Sequence, residues 1–109
     1  MDLEKLKKFI IEFLDNSKIS DITTIDVSKK TTITKLMIIG TATSTKHADS
    51  TIHNLRSKLK ETFETIPNKA EGKSSGWVLL DLNDIFVNIF TEEARQEYKL
   101  EELWTKEIK

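Results

Sequence analysis

The fold of this chain is decided by the stretch 77–90, which reads WVLLDLNDIFVNIF. Two runs of mostly apolar residues, 77–82 and 85–90, are separated only by Asn83 and Asp84. Two residues of this type between alternating apolar residues are typical of the turn of a β-hairpin. The stretch therefore predicts two antiparallel strands whose register is fixed by the turn.

One surface of this hairpin is predicted to face the core. Side chains alternate between the two faces of a strand, so a two-residue turn sorts the hairpin residues into two sets. The first set is wholly aliphatic: Val78, Leu80, Leu82, Ile85, Val87 and Ile89.

The opposite surface is mixed, with Trp77, Leu79, Asp81, Phe86, Asn88 and Phe90. An unpaired buried carboxylate is costly, so Asp81 argues against complete burial. Aromatic rings with a few polar groups around them are typical of interface centres. Two interpretations stay open: a surface that binds a partner, and a surface covered by a helix with Asp81 at its wet rim. Both hold if one end is covered and the other is open.

Before the hairpin, the sequence changes from a helical to a strand pattern. Asp2 can cap an amphipathic helix, because the apolar residues after it recur at three- and four-residue spacing. A β-branched strand is predicted at 22–27 and a second strand at 33–39. The continuous apolar run 36–39 in the second strand indicates a central strand covered on both faces.

A long helix links these strands to the hairpin. Ser44 or Thr45 caps it, and Pro67 ends it because the residue before a proline avoids helical angles. The polar stretch 68–76 fits a loop or a weak edge strand. After the hairpin, Thr91 is predicted to cap a last helix.

The predicted element order is α-β-β-α-(β)-β-β-α, in a single domain that spans residues 1–109. A helix that crosses between strands requires a parallel pair, whereas the hairpin is antiparallel. We therefore expect an α/β fold of the mixed α+β kind, with helices packed on a mixed sheet of roughly four or five strands.

Composition excludes several classes of protein. The chain has no cysteine, which excludes disulfide scaffolds, thiolate catalysis and cysteine-based zinc sites. No stretch approaches the roughly 20 apolar residues of a membrane span. The N-terminus is acidic and helix-like and does not resemble a signal peptide. We expect a cytoplasmic protein that does not enter a membrane.

The charge is small overall but unevenly distributed. The formal net charge is -1, so the strongly basic character of many nucleic-acid-binding domains is missing, and no sequence-specific nucleic-acid binding is expected. Residues 1–70 carry 12 basic and 9 acidic residues, whereas residues 71–109 carry 5 basic and 9 acidic. An acidic C-terminal part suits a basic partner surface, although charge alone favours a solvated charged helix.

Residues that could support catalysis or bind a metal are few. His47 and His53 are six residues apart on one helix and point to different sides. The turn at 40–44 precedes a helix but lacks the phosphate-loop motifs. Asp81 and Asp84 could hold Mg²⁺, yet a turn favours Asp in any case. We predict no catalytic, cofactor-binding or metal-binding site.

Most of the chain, from Asp21 to Trp104, contains an ordered set of short stretches: Asp26-Val27, Thr43-Ser44-Thr45-Lys46-His47, Glu71-Gly72, Trp77-Val78-Leu79-Leu80-Asp81, Asp84-Ile85-Phe86-Val87, Ile89-Phe90, Arg95, Tyr98 and Leu100-Glu101-Glu102-Leu103-Trp104. In this set the chain resembles the ribosomal silencing factor (Iojap-like) family. Three places depart from the family pattern, at Lys35-Leu36, Asn83 and Asn88.

The resemblance implies a function without catalysis. Family members bind the large-subunit ribosomal protein uL14 and sterically prevent the small subunit from joining, which represses translation. They are commonly homodimers when free. Their fold is similar to that of nucleotidyltransferases but lacks the catalytic acid pair, so the resemblance implies no enzyme activity and no cofactor.

Seven residues are candidates for partner contacts: Glu71, Trp77, Leu79, Asp81, Asp84, Tyr98 and Trp104. Tyr98 and Trp104 are more ambiguous than the others, because terminal aromatic residues more often pack the last helix onto the sheet. Two other functions stay open. One is a divergent nucleotidyltransferase-like enzyme that binds phosphate at the turn 41–44, and the other is a structural homodimer.

Overall fold

The computed structural model describes residues 2–63 and 69–105, with the side chains of residues 69 and 103–105 excepted. In chain order its elements are α1 (Leu3–Asn16), β1 (Ser20–Asp26), β2 (Leu36–Ala42), α2 (Thr45–Phe63), β3 (Lys69–Glu71), β4 (Trp77–Asp81), β5 (Ile85–Thr91), α3 (Glu92–Tyr98) and α4 (Leu100–Thr105). The predicted order is confirmed, and the optional strand is present as β3. The predicted end of the long helix at Pro67 lies outside the described residues.

The strands form one mixed sheet in the order β1-β2-β5-β4-β3. Only β2 and β5 are parallel, and the other neighbouring pairs are antiparallel. The hairpin register is as predicted, because Val78 pairs with Ile89 and Leu80 with Val87. The fold is therefore the mixed α/β class expected from the sequence.

Side-chain caps begin the helices where the sequence predicts them. The Asp2 carboxylate accepts a hydrogen bond from the Glu4 backbone N–H at 3.0 Å. The Ser44 hydroxyl accepts from the His47 N–H at 3.0 Å, and the Thr91 hydroxyl accepts from the Ala94 N–H at 3.3 Å. Each cap satisfies a donor that the first turn of a helix leaves unpaired.

The inner face of the sheet, which α1 and α2 cover, forms the main core. Its buried residues include Leu6, Ile10 and Leu14 of α1 and Leu55 and Leu59 of α2. All six aliphatic residues of the predicted core face of the hairpin belong to this cluster: Val78, Leu80, Leu82, Ile85, Val87 and Ile89.

Both ends of β1 and β2 differ from the prediction, as does the last helix. β1 ends at Asp26 instead of Val27, and β2 ends at Ala42 instead of Ile39. β2 begins at Leu36 instead of Ile33, whose side chain is 67% exposed. β1 begins at Ser20, and its pairing with β2 is irregular between Ser20 and Thr23. The last helix is interrupted at Lys99, whose left-handed φ of 48° ends α3 and lets α4 start in a new direction.

Candidate protein-binding surface

The outer face of the sheet, opposite α1 and α2, is covered at one end only. A second cluster of buried residues lies there: Ile25, Val27, Met37, Ile39, Phe90 and Ala94. Helix α3 contacts β5 and β2, and α4 contacts β1. The half-buried Trp77 and Phe86 pack against the cluster from the hairpin side.

Trp77 lies at the covered end and makes contacts within the chain. Its ring stacks on Phe90 at a centroid distance of 5.0 Å and meets Tyr98 of α3 at 5.0 Å. Its indole Nε1–H donates to Oδ1 of Asn88 at 3.0 Å. Asn88 is 1% exposed, so this bond satisfies an acceptor that water does not reach. The indole N–H is therefore not available to a partner, although the half-buried ring still presents some surface.

The other end of the outer face is more open. Leu79, Asp81 and Phe86 are half-buried, and the neighbouring Glu71 is exposed. The ladder places Glu71 opposite Leu79, and Asp81 opposite Phe86. We call Glu71, Leu79, Asp81 and Phe86, together with the exposed part of the Trp77 ring at the border of the covered end, the open patch. It combines apolar side chains with two carboxylates. The helix-covered interpretation applies to the other end, where Tyr98 packs on Trp77, whereas partner binding at the open end stays a prediction.

The hairpin turn fixes the acidic side of this patch. Asn83 has a φ of 70°, and the Asp84 N–H donates to the Leu82 carbonyl at 2.9 Å, which makes the turn tight. The Asp81 carboxylate accepts from the Asn83 N–H at 2.9 Å. The Asp84 carbonyl accepts from the N–H groups of Lys35 and Leu36 at 3.1 and 3.0 Å, while its side chain is exposed. Backbone bonds thus hold the Asp81 carboxylate on one side of the turn and the main chain of Asp84 on the other.

Six of the seven predicted contact residues can be placed on the described structure. Glu71, Trp77, Leu79 and Asp81 belong to the open patch. Asp84 lies in the adjoining turn, and Tyr98 packs on Trp77 and is still 52% exposed. The side chain of Trp104 lies outside the described residues. Phe86 was not among the candidates, although its position opposite Asp81 follows from the hairpin register.

Arg95 holds the covering helices against the sheet, a role that the sequence did not reveal. Its guanidinium donates to both oxygens of Glu101, at 2.6 and 3.0 Å. It also donates to the Asp21 carbonyl at 2.7 Å and to the hydroxyls of Thr41 and Thr23 at 2.8 and 3.2 Å. One side chain therefore joins α3, α4, β1 and β2. Its only signal in the sequence was its presence among the family motifs.

This pairing shifts both charged groups toward their ionised forms. The hydrogen bond from Arg95 lowers the pKa of the Glu101 carboxyl below its ordinary value, against the opposing effect of burial. The carboxylate of Glu101 raises the pKa of Arg95 above its ordinary value. The acids around them keep this end of the molecule negative, because Glu92, Glu93, Glu97 and Glu102 are all exposed.

The turn before α2, considered as a phosphate site, uses the Thr43 N–H internally. The Thr43 N–H donates to Nδ1 of His47 at 3.0 Å, and Nε2 of His47 donates to the Ser17 carbonyl at 2.7 Å. These bonds require the neutral ring with its proton on Nε2. The imidazole thus connects the end of α1 to the turn before α2.

The described residues contain neither a metal-binding cluster nor a helix that could span a membrane. In residues 2–63 and 69–105, no group of three or more histidine, aspartate or glutamate side chains could hold a metal ion. Within the same residues, no helix combines the length and the apolar character needed to cross a bilayer.

Comparison with known proteins identifies the family. The model of the family described as "Ribosomal silencing factor during starvation" matches residues 1–109. The chain belongs to the ribosomal silencing factor family. A ribosomal silencing factor of Haemophilus influenzae is 40% identical over 101 residues, which cover 91% of this chain and 97% of that protein.

A solved structure and a mouse protein are also similar to this chain. A crystal structure of a protein from Chromobacterium violaceum has a TM-score of 0.90 at 30% identity, covering 100% of this chain and 91% of that one. A mouse protein named "Mitochondrial assembly of ribosomal large subunit protein 1" is 30% identical over 88% of this chain and 43% of its own length. The fold predicted from the sequence is thus shared with an experimental structure.

Proposed function

We propose that the chain is a translational repressor that binds the large ribosomal subunit through ribosomal protein uL14 and blocks joining of the small subunit. The open patch is the docking surface. The mechanism is occlusion and needs no chemical turnover, so the protein acts without a cofactor and is not an enzyme. Its target places its action in the cytoplasm.

One observation carries this proposal: half-buried apolar side chains lie beside carboxylates at the open end of a sheet face. Leu79 and Phe86 supply apolar area that a partner can bury, and each lies next to an acid, Glu71 or Asp81. Apolar anchors inside a polar rim are the usual anatomy of protein interfaces. A uniformly solvated strand end would not place these two side chains at its surface.

Charge supports a basic partner. Asp84 adds a third acid beside the patch, and the exposed glutamates of α3 and α4 extend the negative surface. Ribosomal proteins that contact RNA carry basic surfaces, so the potentials are complementary. The name of the mouse relative also refers to the large ribosomal subunit.

The size of the molecule suits occlusion. Its principal extents are 42 × 31 × 21 Å. A rigid body of this thickness, docked where two subunits must meet within contact distance, prevents their approach as long as it stays bound. Repression then depends on occupancy alone, and the rate of dissociation sets its duration.

The docking surface is tested by two substitutions with matched controls. Leu79→Ala removes apolar contact area, and Asp81→Lys reverses one charge. The controls are Ile11→Ala and Glu12→Lys on α1, which lies on the other side of the sheet. We expect each patch variant to bind isolated uL14 about 5- to 30-fold more weakly, which corresponds to about 1–2 kcal/mol. Full affinity in both patch variants would refute the assignment.

Trp77→Ala is a less direct test. As an interface anchor, Trp77 would contribute about 2 kcal/mol or more to docking. The same substitution removes the ring stack on Phe90 and the donor to Asn88. A loss of binding could then come either from lost docking contacts or from unfolding. Its binding should therefore be measured only where circular dichroism shows the native fold.

Occlusion itself is tested by light scattering during subunit association. The native chain should lower the association of small with large subunits, and Leu79→Ala should need a proportionally higher concentration. Normal association at saturating occupancy would contradict the mechanism. Light scattering of the free chain, with and without uL14, separates a dimer that uses the same patch from partner binding.

A further inference from the structure

A basic cleft lies on the inner side of the sheet, between α2, the edge strand β3 and the neighbouring strand β4. Its volume is about 470 Å³. Hydrogen-bond donors line it on Arg56, Lys73, Asn54 and His53, and Ile52 is part of its lining. None of these residues belongs to the open patch.

Among the residues that the structure describes, the two strong cations of the cleft have no carboxylate partner. Arg56 and Lys73 are both exposed, and within the described residues neither forms an ion pair. Lys58, by contrast, lies 3.8 Å from Glu61 on the same helix. An exposed guanidinium and an ammonium that share one cleft and have no counter-ion favour an anionic ligand.

Asp49 is the one acid among the described residues that line the cleft, and its carboxylate is hydrogen-bonded to Ser74. Both oxygens of Asp49 accept from the Ser74 N–H, at 3.2 and 3.1 Å, and Oδ2 also accepts from the Ser74 hydroxyl at 3.5 Å. These bonds hold the carboxylate against the loop before β4. The formal charge of the lining is still positive, because Asp49 offsets only one of the two cations.

Strand β3 separates this cleft from the open patch. Ala70 pairs with Leu80 and lines the cleft, whereas Glu71 pairs with Leu79 on the outer face. Consecutive residues of one edge strand thus face a basic cleft on one side and an acidic patch on the other. A partner that wraps around this edge would meet both signs of charge.

We propose that the cleft binds phosphate groups of an RNA backbone. The choice of RNA rests on the proposed function, because a ribosomal subunit presents phosphodiester groups next to basic protein surfaces. Arg56 and Lys73 contact phosphate oxygens, and Asn54 and His53 add hydrogen bonds. The open patch binds protein, the cleft binds RNA, and their opposite charges set the orientation of the docked chain.

The direct test measures the binding of a fluorescein-labelled oligouridylate by fluorescence anisotropy. Each phosphate contact to a single strand contributes about 0.7 to the slope of log affinity against log salt. Loss of two contacts in Arg56→Glu/Lys73→Glu should lower the slope by about 1.4 and the affinity at least about tenfold. Arg56→Lys/Lys73→Arg should keep both values, since it keeps both charges.

Lys58→Glu/Lys60→Glu is the matched control, because it reverses two charges on α2 outside the cleft. An equal loss in this control would show binding through diffuse charge and overturn the assignment. Absence of RNA binding by the native chain would also overturn it. Preferential competition by ATP would assign the cleft to a nucleotide, and equal competition by oligoglutamate would assign it to an acidic peptide; either result rejects RNA.

A second measurement separates this proposal from the docking proposal. Arg56→Glu/Lys73→Glu should bind isolated uL14 normally, and Leu79→Ala should bind the oligouridylate normally. Loss of RNA binding in Leu79→Ala, with its fold intact, would contradict two separate surfaces. A failure of uL14 binding by the native chain would reject the docking proposal and leave the RNA result standing.

Discussion

Arg95 and Glu101 are joined by a two-pronged ion pair across the break between α3 and α4, with Nε 2.6 Å from Oε1 and Nη2 3.0 Å from Oε2. The Arg95 side chain is only 11% exposed and Glu101 is 32% exposed. A fork of parallel bonds fixes orientation as well as distance. The pair therefore sets how α4 lies on the edge of the sheet.

Glu101→Gln should lower the free energy of unfolding by about 1 kcal/mol at neutral pH, because a partly exposed charged hydrogen bond is lost. The native pair lowers the pKa of Glu101 below its ordinary value of 4.5. Its stabilisation is therefore complete above pH 4.5 and is lost as the pH falls through the lowered pKa.

The measurement is urea unfolding followed by circular dichroism at a series of pH values. The difference between the native chain and Glu101→Gln should shrink as the pH falls below 4.5. A difference that grows in acid would contradict the assignment.

Arg95→Lys keeps the charge but not the forked geometry of the guanidinium. It should lower the free energy of unfolding by about 2 kcal/mol, because bonds to four partners are disturbed.

Trp77→Phe should lower the free energy of unfolding by about 1–2 kcal/mol, because it leaves the buried Oδ1 of Asn88 without its donor. Asn88→Leu in the same chain removes the unsatisfied acceptor and should recover part of the loss. A double-mutant cycle from thermal or urea unfolding gives the coupling energy. Strict additivity would show that the indole–amide bond contributes nothing.

His47→Ala should cost about 1–2 kcal/mol, because it removes bonds to the Thr43 N–H and the Ser17 carbonyl. The matched control is His53→Ala on the same helix, whose exposed side chain should contribute less than about 0.5 kcal/mol. Equal urea midpoints for the two variants would remove the structural role assigned to His47.

Gly72→Ala should be more destabilising than Gly76→Ala. Both residues have a φ of 88°, which costs a side chain about 1–2 kcal/mol. A Cβ at Gly72 would also lie 2.0 Å from the Trp77 carbonyl oxygen, whereas at Gly76 its nearest neighbour is the Thr91 hydroxyl at 3.3 Å. We expect roughly 3 kcal/mol or more for the first and about 1–2 for the second. The reverse order in thermal unfolding would contradict this geometry.

The hairpin and its two faces could be predicted because a two-residue turn leaves one register that buries every aliphatic side chain. Which end of the outer face is covered could not be predicted. Strand alternation places Trp77 and Asp81 on one face, but it does not show which helix covers that face. The structure answers this through Tyr98, whose position depends on the chain reversal at Lys99.

For other features of the fold, the sequence contains only a weak local signal or a misleading one. β3 has only three residues, too few to show a period of two. The β-branched side chain of Ile33 predicted a strand residue, but Ile33 lies in the loop before β2. The strand starts only where the N–H groups of Lys35 and Leu36 donate to the Asp84 carbonyl. Arg95 reaches across elements distant in sequence, and no local pattern encodes such contacts.

The edges of the sheet have a consequence for solubility. An unpaired strand edge can recruit another chain and start aggregation. Here one edge strand is short, and the other is interrupted between Ser20 and Thr23, where the guanidinium of Arg95 occupies the carbonyl of Asp21. Arg95, which joins α3 and α4, thus also protects this edge of the sheet from pairing with other copies of the chain at high concentration.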